Sequence, residues 1–235
     1  MIMSTIEQNL QAVRDSIAQA ALEAQRAPED VTLLAVSKTF GADAVLAAMR
    51  AGQAAFGENY LQEALDKIAF VKEAAPQHVP AWHFIGPIQS NKTRPIAEHF
   101  DWVHTVEREK IAARLSEQRP AGMPDLNICL QVNISGEASK SGVTPADLPA
   151  LAHAVAQLPR LRLRGLMAIP EPETDVTLQR RAFAQLRALY EQLKTEGLAL
   201  DTLSMGMSAD LRAAVLEGAT IVRVGSAIFG SRNYS

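Results

Sequence analysis

The chain has 235 residues, 48% hydrophobic and 21% charged, with a formal net charge of -3. That is the composition of a soluble globular protein able to bury a large core, and it excludes the whole-protein basic field of a general nucleic-acid binder. No apolar run approaches the ~20 residues of a membrane span, and the start MIMSTIEQNLQAVRDS lacks the basic region and apolar stretch of a secretory signal, which points to a cytoplasmic protein off the membrane.

Ile6, Leu10, Val13 and Ile17 recur at helical spacing, and Ser4-Thr5-Ile6-Glu7 fits a capping box, predicting an amphipathic N-terminal helix ended by Pro28. Strand and helix patterns then alternate. Strands are predicted at 31–37, 54–57, 81–85, 101–105, 126–133, 161–168, 200–204 and 220–224. Helices are predicted at 42–51, 59–73, 90–98, 107–118, 145–158, 175–196 and 208–217. This α/β alternation predicts one domain over 1–235: a helix within 1–27 and a single (β/α)8 TIM barrel over 31–230. A doubly wound open sheet is the alternative, but it usually carries fewer strands at this length. The single cysteine, Cys129 in LNICLQV, reads as a small buried residue. The polar connection 133–145 is either a surface loop or a lid at the barrel mouth.

In such barrels the active site lies at the C-terminal ends of the strands. Here those ends collect Ser37-Lys38-Thr39, Gly57-Glu58-Asn59-Tyr60, His83, Thr105, Asn133, Met167, Ser204-Met205-Gly206-Met207-Ser208 and Arg223-Val224-Gly225-Ser226. The last two suit an anion. Small residues let backbone N–H groups approach a phosphate, and the loops after strands seven and eight are a recurrent phosphate position in this fold. SMGMS is expected to open a helix.

Lys38 closes the apolar run VTLLAVSK, so it is either a solvated loop lysine or a nucleophile at the mouth. A lysine amine attacks an aldehyde well once its pKa falls from ~10.4 towards ~7–8, as a partly apolar mouth allows. A lysine after the first strand, across from a phosphate site, suits a Schiff base with pyridoxal phosphate. Ser204 and the Gly225-Ser226 turn would hold the phosphate, and Arg223 would lie near the pyridine nitrogen, where it cannot accept a proton. His83 is either a site residue or a structural hydrogen-bonder; His78, His99 and His153 read as solvated. No His–carboxylate cluster has metal-ligand spacing, so no metal is expected. Lys92 and Arg94 in SNKTRP form either a solvated basic turn or a second anion or partner site.

The motifs LLAVSKTF, FGENYLQEALDK, WHFIGPIQSNKTR, VNISGEASKSGV, LRGLMAIP and LSMGMSADLRAAVLEGATIVRVGSAIFGSR, in order across 31–232, closely resemble the pyridoxal phosphate homeostasis proteins. The resemblance implies an alanine-racemase-type barrel (PLP fold type III) with pyridoxal 5'-phosphate on Lys38. It also implies phosphate contacts from Ser204, Gly225 and Ser226, Arg223 beside the ring nitrogen and Asn59 near the cofactor. Ser226 stands where many members have threonine, and both offer a hydroxyl. A non-catalytic, monomeric carrier, delivering its cofactor to apo enzymes, is then set against an amino-acid racemase. Racemisation needs a base on each face of the substrate α-carbon, and in the racemases a tyrosine from another subunit serves as one. Tyr60, Tyr190 and Tyr234 are the tyrosines here, and only Tyr60 follows a strand end. A Schiff-base aldolase fits the lysine and phosphate elements but not the long motif match.

Overall fold

The computed structural model describes residues 4–231. The chain begins with helix α1 (Thr5–Glu23), whose N-cap Ser4 accepts a hydrogen bond from the Glu7 amide at 3.2 Å. Eight strands follow: β1 (Thr32–Val36), β2 (Ala55–Glu58), β3 (Ala81–Phe84), β4 (Trp102–Val106), β5 (Leu126–Gln131), β6 (Leu161–Met167), β7 (Thr202–Ser204) and β8 (Ile221–Val224). They pair in parallel, in sequence order, and β8 closes on β1 as a barrel. The predicted strands are therefore found within a few residues of their expected ends. Among the described residues, no helix is long and apolar enough to cross a membrane.

The connecting helices are α2 (Ala42–Arg50), α3 (Leu61–Ala74), α4 (Thr93–His99), α5 (Glu109–Gln118), α6 (Leu148–Ala156), α7 (Val176–Thr195), α8 (Leu211–Leu216) and the short α9 (Ser226–Phe229). Several begin later than the sequence pattern suggests. The SMGMS stretch does not open a helix. Gly206 takes a φ of 98°, a left-handed conformation that suits glycine, and the Met207 amide donates to Asp210 Oδ1 at 2.6 Å, so a side chain occupies the segment until α8 starts at Leu211. Likewise α3 starts at Leu61, which leaves Asn59 in the turn after β2 rather than on a helix.

Period-2 alternation sorts each strand between two environments. Outward residues such as Ala35, Phe56, Trp82, Phe84, Val103 and Leu203 join the large core between barrel and helices. Inward ones are fewer: Leu34, Ala55 and Ile221 pack together inside, with Ala81, Ile85 and Trp102 against them. Branched aliphatic side chains usually fill a barrel of this size. Here the middle of the interior is instead polar, and that polar column leads to the site.

Candidate functional site at the barrel mouth

Lys38 lies two residues past Val36 on the inward face that Leu34 begins. Val36 pairs with Gly57 of β2, and Ser37 N–H extends that ladder to Gly57 O at 3.0 Å, so Lys38 and Asn59 rise side by side at the C-terminal end. Lys38 is half-buried. Asn59 Oδ1 is buried with no hydrogen-bond partner among the described residues. Such orphaned acceptors are rare, because leaving one unmade costs about 1–3 kcal/mol.

The other flank of β1 carries β8 and the turn after it. A side chain at Gly225 would put its Cβ 3.2 Å from the Val36 carbonyl oxygen, so this turn lies tight against β1. Gly225 O accepts from the Ile228 and Phe229 amides at 2.9 and 3.0 Å. The first amides of α9, Ser226 and Ala227, are left without helical acceptors, and both residues are exposed. Two contacts steady the turn: Asn9 Nδ2 of α1 donates to Ile228 O at 2.9 Å, and the Phe40 and Phe229 rings meet at 5.2 Å.

Below the mouth runs a chain of buried polar groups. Arg223 Nη1 donates to Ser204 Oγ at 2.7 Å and Nη2 to Ala168 O at 3.1 Å. Ser204 Oγ also meets His104 Nδ1 at 2.7 Å, and His104 Nε2 meets His83 Nδ1 at 2.8 Å. Burial holds both imidazoles neutral: it pushes His83 down to about 3 and His104 well below its ordinary value, with help from the neighbouring His83 and Arg223. Burial also lowers Arg223, to about 10, so it stays charged at neutral pH. Among the described residues no carboxylate forms an ion pair with it.

Lys38, Asn59, Gly225 and Ser226 thus gather at one opening, with Arg223 beneath them. Ser204, expected at the anion end, is sealed in the interior, because the strand's alternation turns it inward and both Arg223 and His104 hold its hydroxyl. The exposed hydroxyl of the SMGMS stretch is Ser208, on the loop before α8. Of its two expected roles, His83 has the structural hydrogen bond. It lies against Trp102, ring on ring at 5.2 Å, and faces a cavity of ≈ 630 Å³ at the opposite, N-terminal opening with Thr32 and Ala55. His104 escaped the sequence reading, although its signal was present: in WVHTV it stands two residues from Trp102, on the same face.

A smaller cavity of ≈ 200 Å³ adjoins Asn59, lined in part by Thr105, Glu107, Arg108, Gln131 and Ser141. Ser141 comes from the 133–145 connection, which is folded against the rim. Val132 bridges Val143, Asn133 Nδ2 donates to Glu137 O at 2.7 Å, and the Gly142 amide donates to the Glu107 carboxylate. Tyr60 is 52% exposed beside the mouth. Tyr190 is buried in the outer layer, its hydroxyl donating to Leu200 O at 3.1 Å. Tyr234 lies outside the described residues. Lys92 and Arg94 are exposed on the surface.

The family described as alanine racemase, N-terminal domain, matches residues 7–233. The pyridoxal phosphate homeostasis protein of Pseudomonas aeruginosa is 64% identical over 232 residues, 99% of this chain and 98% of the relative. That of Escherichia coli K12 is 54% identical over 233 residues, 99% of each. Among solved structures, PipY of Synechococcus elongatus PCC7942 with PLP bound is 37% identical, with a TM-score of 0.83 over 96% of this chain and 100% of that one. Alanine racemase from Corynebacterium glutamicum shares the fold, with a TM-score of 0.71 at 16% identity; the match takes in 97% of this chain but 60% of the racemase. The chain belongs to the family of pyridoxal phosphate homeostasis proteins, built on the barrel of the alanine racemase N-terminal domain.

Proposed function

We propose that this protein binds pyridoxal 5'-phosphate at the barrel mouth, holds it as a Schiff base on Lys38, and serves cytoplasmic cofactor homeostasis as a monomeric carrier without appreciable turnover. The observation that carries this reading is the placement, side by side at the C-terminal ends of β1 and β2, of Lys38 and Asn59, whose buried Oδ1 has no hydrogen-bond partner among the described residues. PLP bound to PipY, a relative whose whole chain matches this fold, supports it.

Bound there, the cofactor supplies an aldehyde that a lysine amine condenses with. The residues divide the remaining work. The Ser226 hydroxyl and the open amides of the Gly225-Ser226 turn would hold the phosphate. Asn59 offers its amide group to a polar substituent of the ring. Arg223, charged and fixed by Ser204 and Ala168 O, would be the residue beside the ring nitrogen and would give it no acidic partner, which would weaken the ring as an electron sink. Ser204 and His83 take no direct part; they belong to the column that positions Arg223.

Racemisation would need a second base. Tyr190 is committed to Leu200 O, so Tyr60 is the candidate among the described tyrosines. The test is incubation of the cofactor-loaded protein with L- and D-alanine, serine and glutamate in deuterated water, followed by mass spectrometry of the α-carbon. A carrier shows no sustained exchange, and passes its cofactor to an added apo enzyme. Exchange at about 1 s⁻¹ or faster, abolished by Tyr60→Phe, would establish the racemase instead.

A further inference from the structure

Behind the lysine, between β1, β2 and α3, lies a buried ionic cluster that the cofactor contacts do not use. Lys67 Nζ, on a side chain 5% exposed, donates to Ser37 O at 2.7 Å, Glu58 Oε1 at 2.8 Å and Glu63 Oε1 at 2.5 Å. Ser37 Oγ donates to Glu58 Oε1 at 2.6 Å, and the Thr39 amide donates to Glu63 Oε1 at 2.7 Å. Two carboxylates thus share one ammonium. Glu58 Oε2 is buried with no hydrogen-bond partner among the described residues, and burial lifts the Glu58 carboxyl above its ordinary pKa despite the ion pair.

These bonds converge on the two residues flanking Lys38. Phe40 N–H closes onto Ser37 O at 3.1 Å, making a tight turn with Lys38 and Thr39 at its centre. Thr39 has a φ of 67°, the sign that the third residue of a type II turn requires and that glycine normally supplies. A β-branched residue keeps such a conformation only where its surroundings over-determine it. Here the cluster does so: Lys67 grips the carbonyl before the lysine and Glu63 the amide after it.

Resting on the assignment of the cofactor to Lys38, we infer that Glu63 and Lys67, backed by Glu58, are positioning residues that fix the Ser37–Thr39 turn so that the Lys38 amine meets the cofactor aldehyde. In that condensation the amine nitrogen bonds to the aldehyde carbon, and the aldehyde oxygen leaves as water with the two amine hydrogens. The cluster touches neither partner. It acts through the backbone that carries one of them.

Glu63 is the member to change, since its side chain is 33% exposed and water can replace it. Full-length wild type, Glu63→Ala and Glu63→Gln are compared by thermal melting, by affinity for pyridoxine 5'-phosphate (which has no aldehyde), and by the rate of imine absorbance on mixing with pyridoxal 5'-phosphate. Glu63→Ala should stay folded and bind the aldehyde-free analogue within about twofold of wild type, while imine formation slows about tenfold or more, as misplacing a reacting group does. Glu63→Gln keeps an oxygen for the Thr39 amide and should recover most of the rate. An unchanged rate in Glu63→Ala overturns the inference, and so does an equal loss of analogue affinity, which would make the cluster general scaffolding of the mouth. Absence of any imine in wild type would instead remove the cofactor assignment itself.

Discussion

Ser226 and Ser204 both looked like phosphate ligands in the sequence, yet they sit in opposite surroundings, one exposed on the turn after β8 and one sealed between His104 and Arg223. Their alanine variants should therefore fail differently. Ser226→Ala removes one hydrogen bond to a charged group, on the order of 1.5–3 kcal/mol, or roughly 10- to 150-fold in cofactor affinity, and leaves the melting temperature near wild type. Ser204→Ala strands buried polar partners, so urea unfolding should show a loss of about 1–3 kcal/mol. Its effect on affinity, transmitted through Arg223, should be the smaller of the two. If Ser204→Ala strips the cofactor while leaving stability untouched, Ser204 is a phosphate ligand after all. Sequence reading could pick out hydroxyls near strand ends. It could not tell that Ser204, at the end of the three-residue β7, turns into the interior, because Ser204 meets His104 from 100 positions away.

The strands were the most legible elements, since buried parallel strands read as short apolar runs and the barrel wall needs eight of them. Helix starts were less so, because side chains such as Asp210 compete for backbone amides and delay the first turn. The clamp behind Lys38 was half visible: Glu63 and Lys67 stand at i,i+4 spacing on α3, but their burial against β1 and β2 depends on the closed barrel. The interior column was hidden for the same reason, and it makes a pH prediction. An unfolded histidine takes up its proton near ~6.5, whereas folded His83 does so only at about 3. Between those values the unfolded state binds more protons, so stability falls as pH falls, by up to ~1.4 kcal/mol per pH unit for each such ring. Glu58, raised by burial, acts in the opposite sense and offsets part of the loss. Urea unfolding between pH 6.5 and 5 isolates the histidine share: wild type should lose about 1.6 kcal/mol more than His83→Gln over that interval. Parallel pH dependences in the two proteins would mean that His83 is protonated in the fold.

At the scale of the whole molecule, one opening of the barrel gathers Lys38, the Asn59 amide and the Gly225-Ser226 turn above Arg223, while the interior beneath holds the arginine and the outer wall carries the cluster behind the lysine. A monomeric carrier should elute, with and without cofactor, at the mass of one chain by light scattering; a stable dimer would revive the possibility of a partner tyrosine at the mouth. Everything else depends on where the cofactor is attached. The decisive measurement is borohydride reduction of the protein loaded with pyridoxal 5'-phosphate, followed by peptide mass spectrometry. The reduced pyridoxyl-phosphate mass should fall on Lys38, at about one per chain, and disappear in Lys38→Ala even though some cofactor still binds through Ser226 and the turn. A label on another lysine, or labelling undiminished in Lys38→Ala, would contradict the assignment.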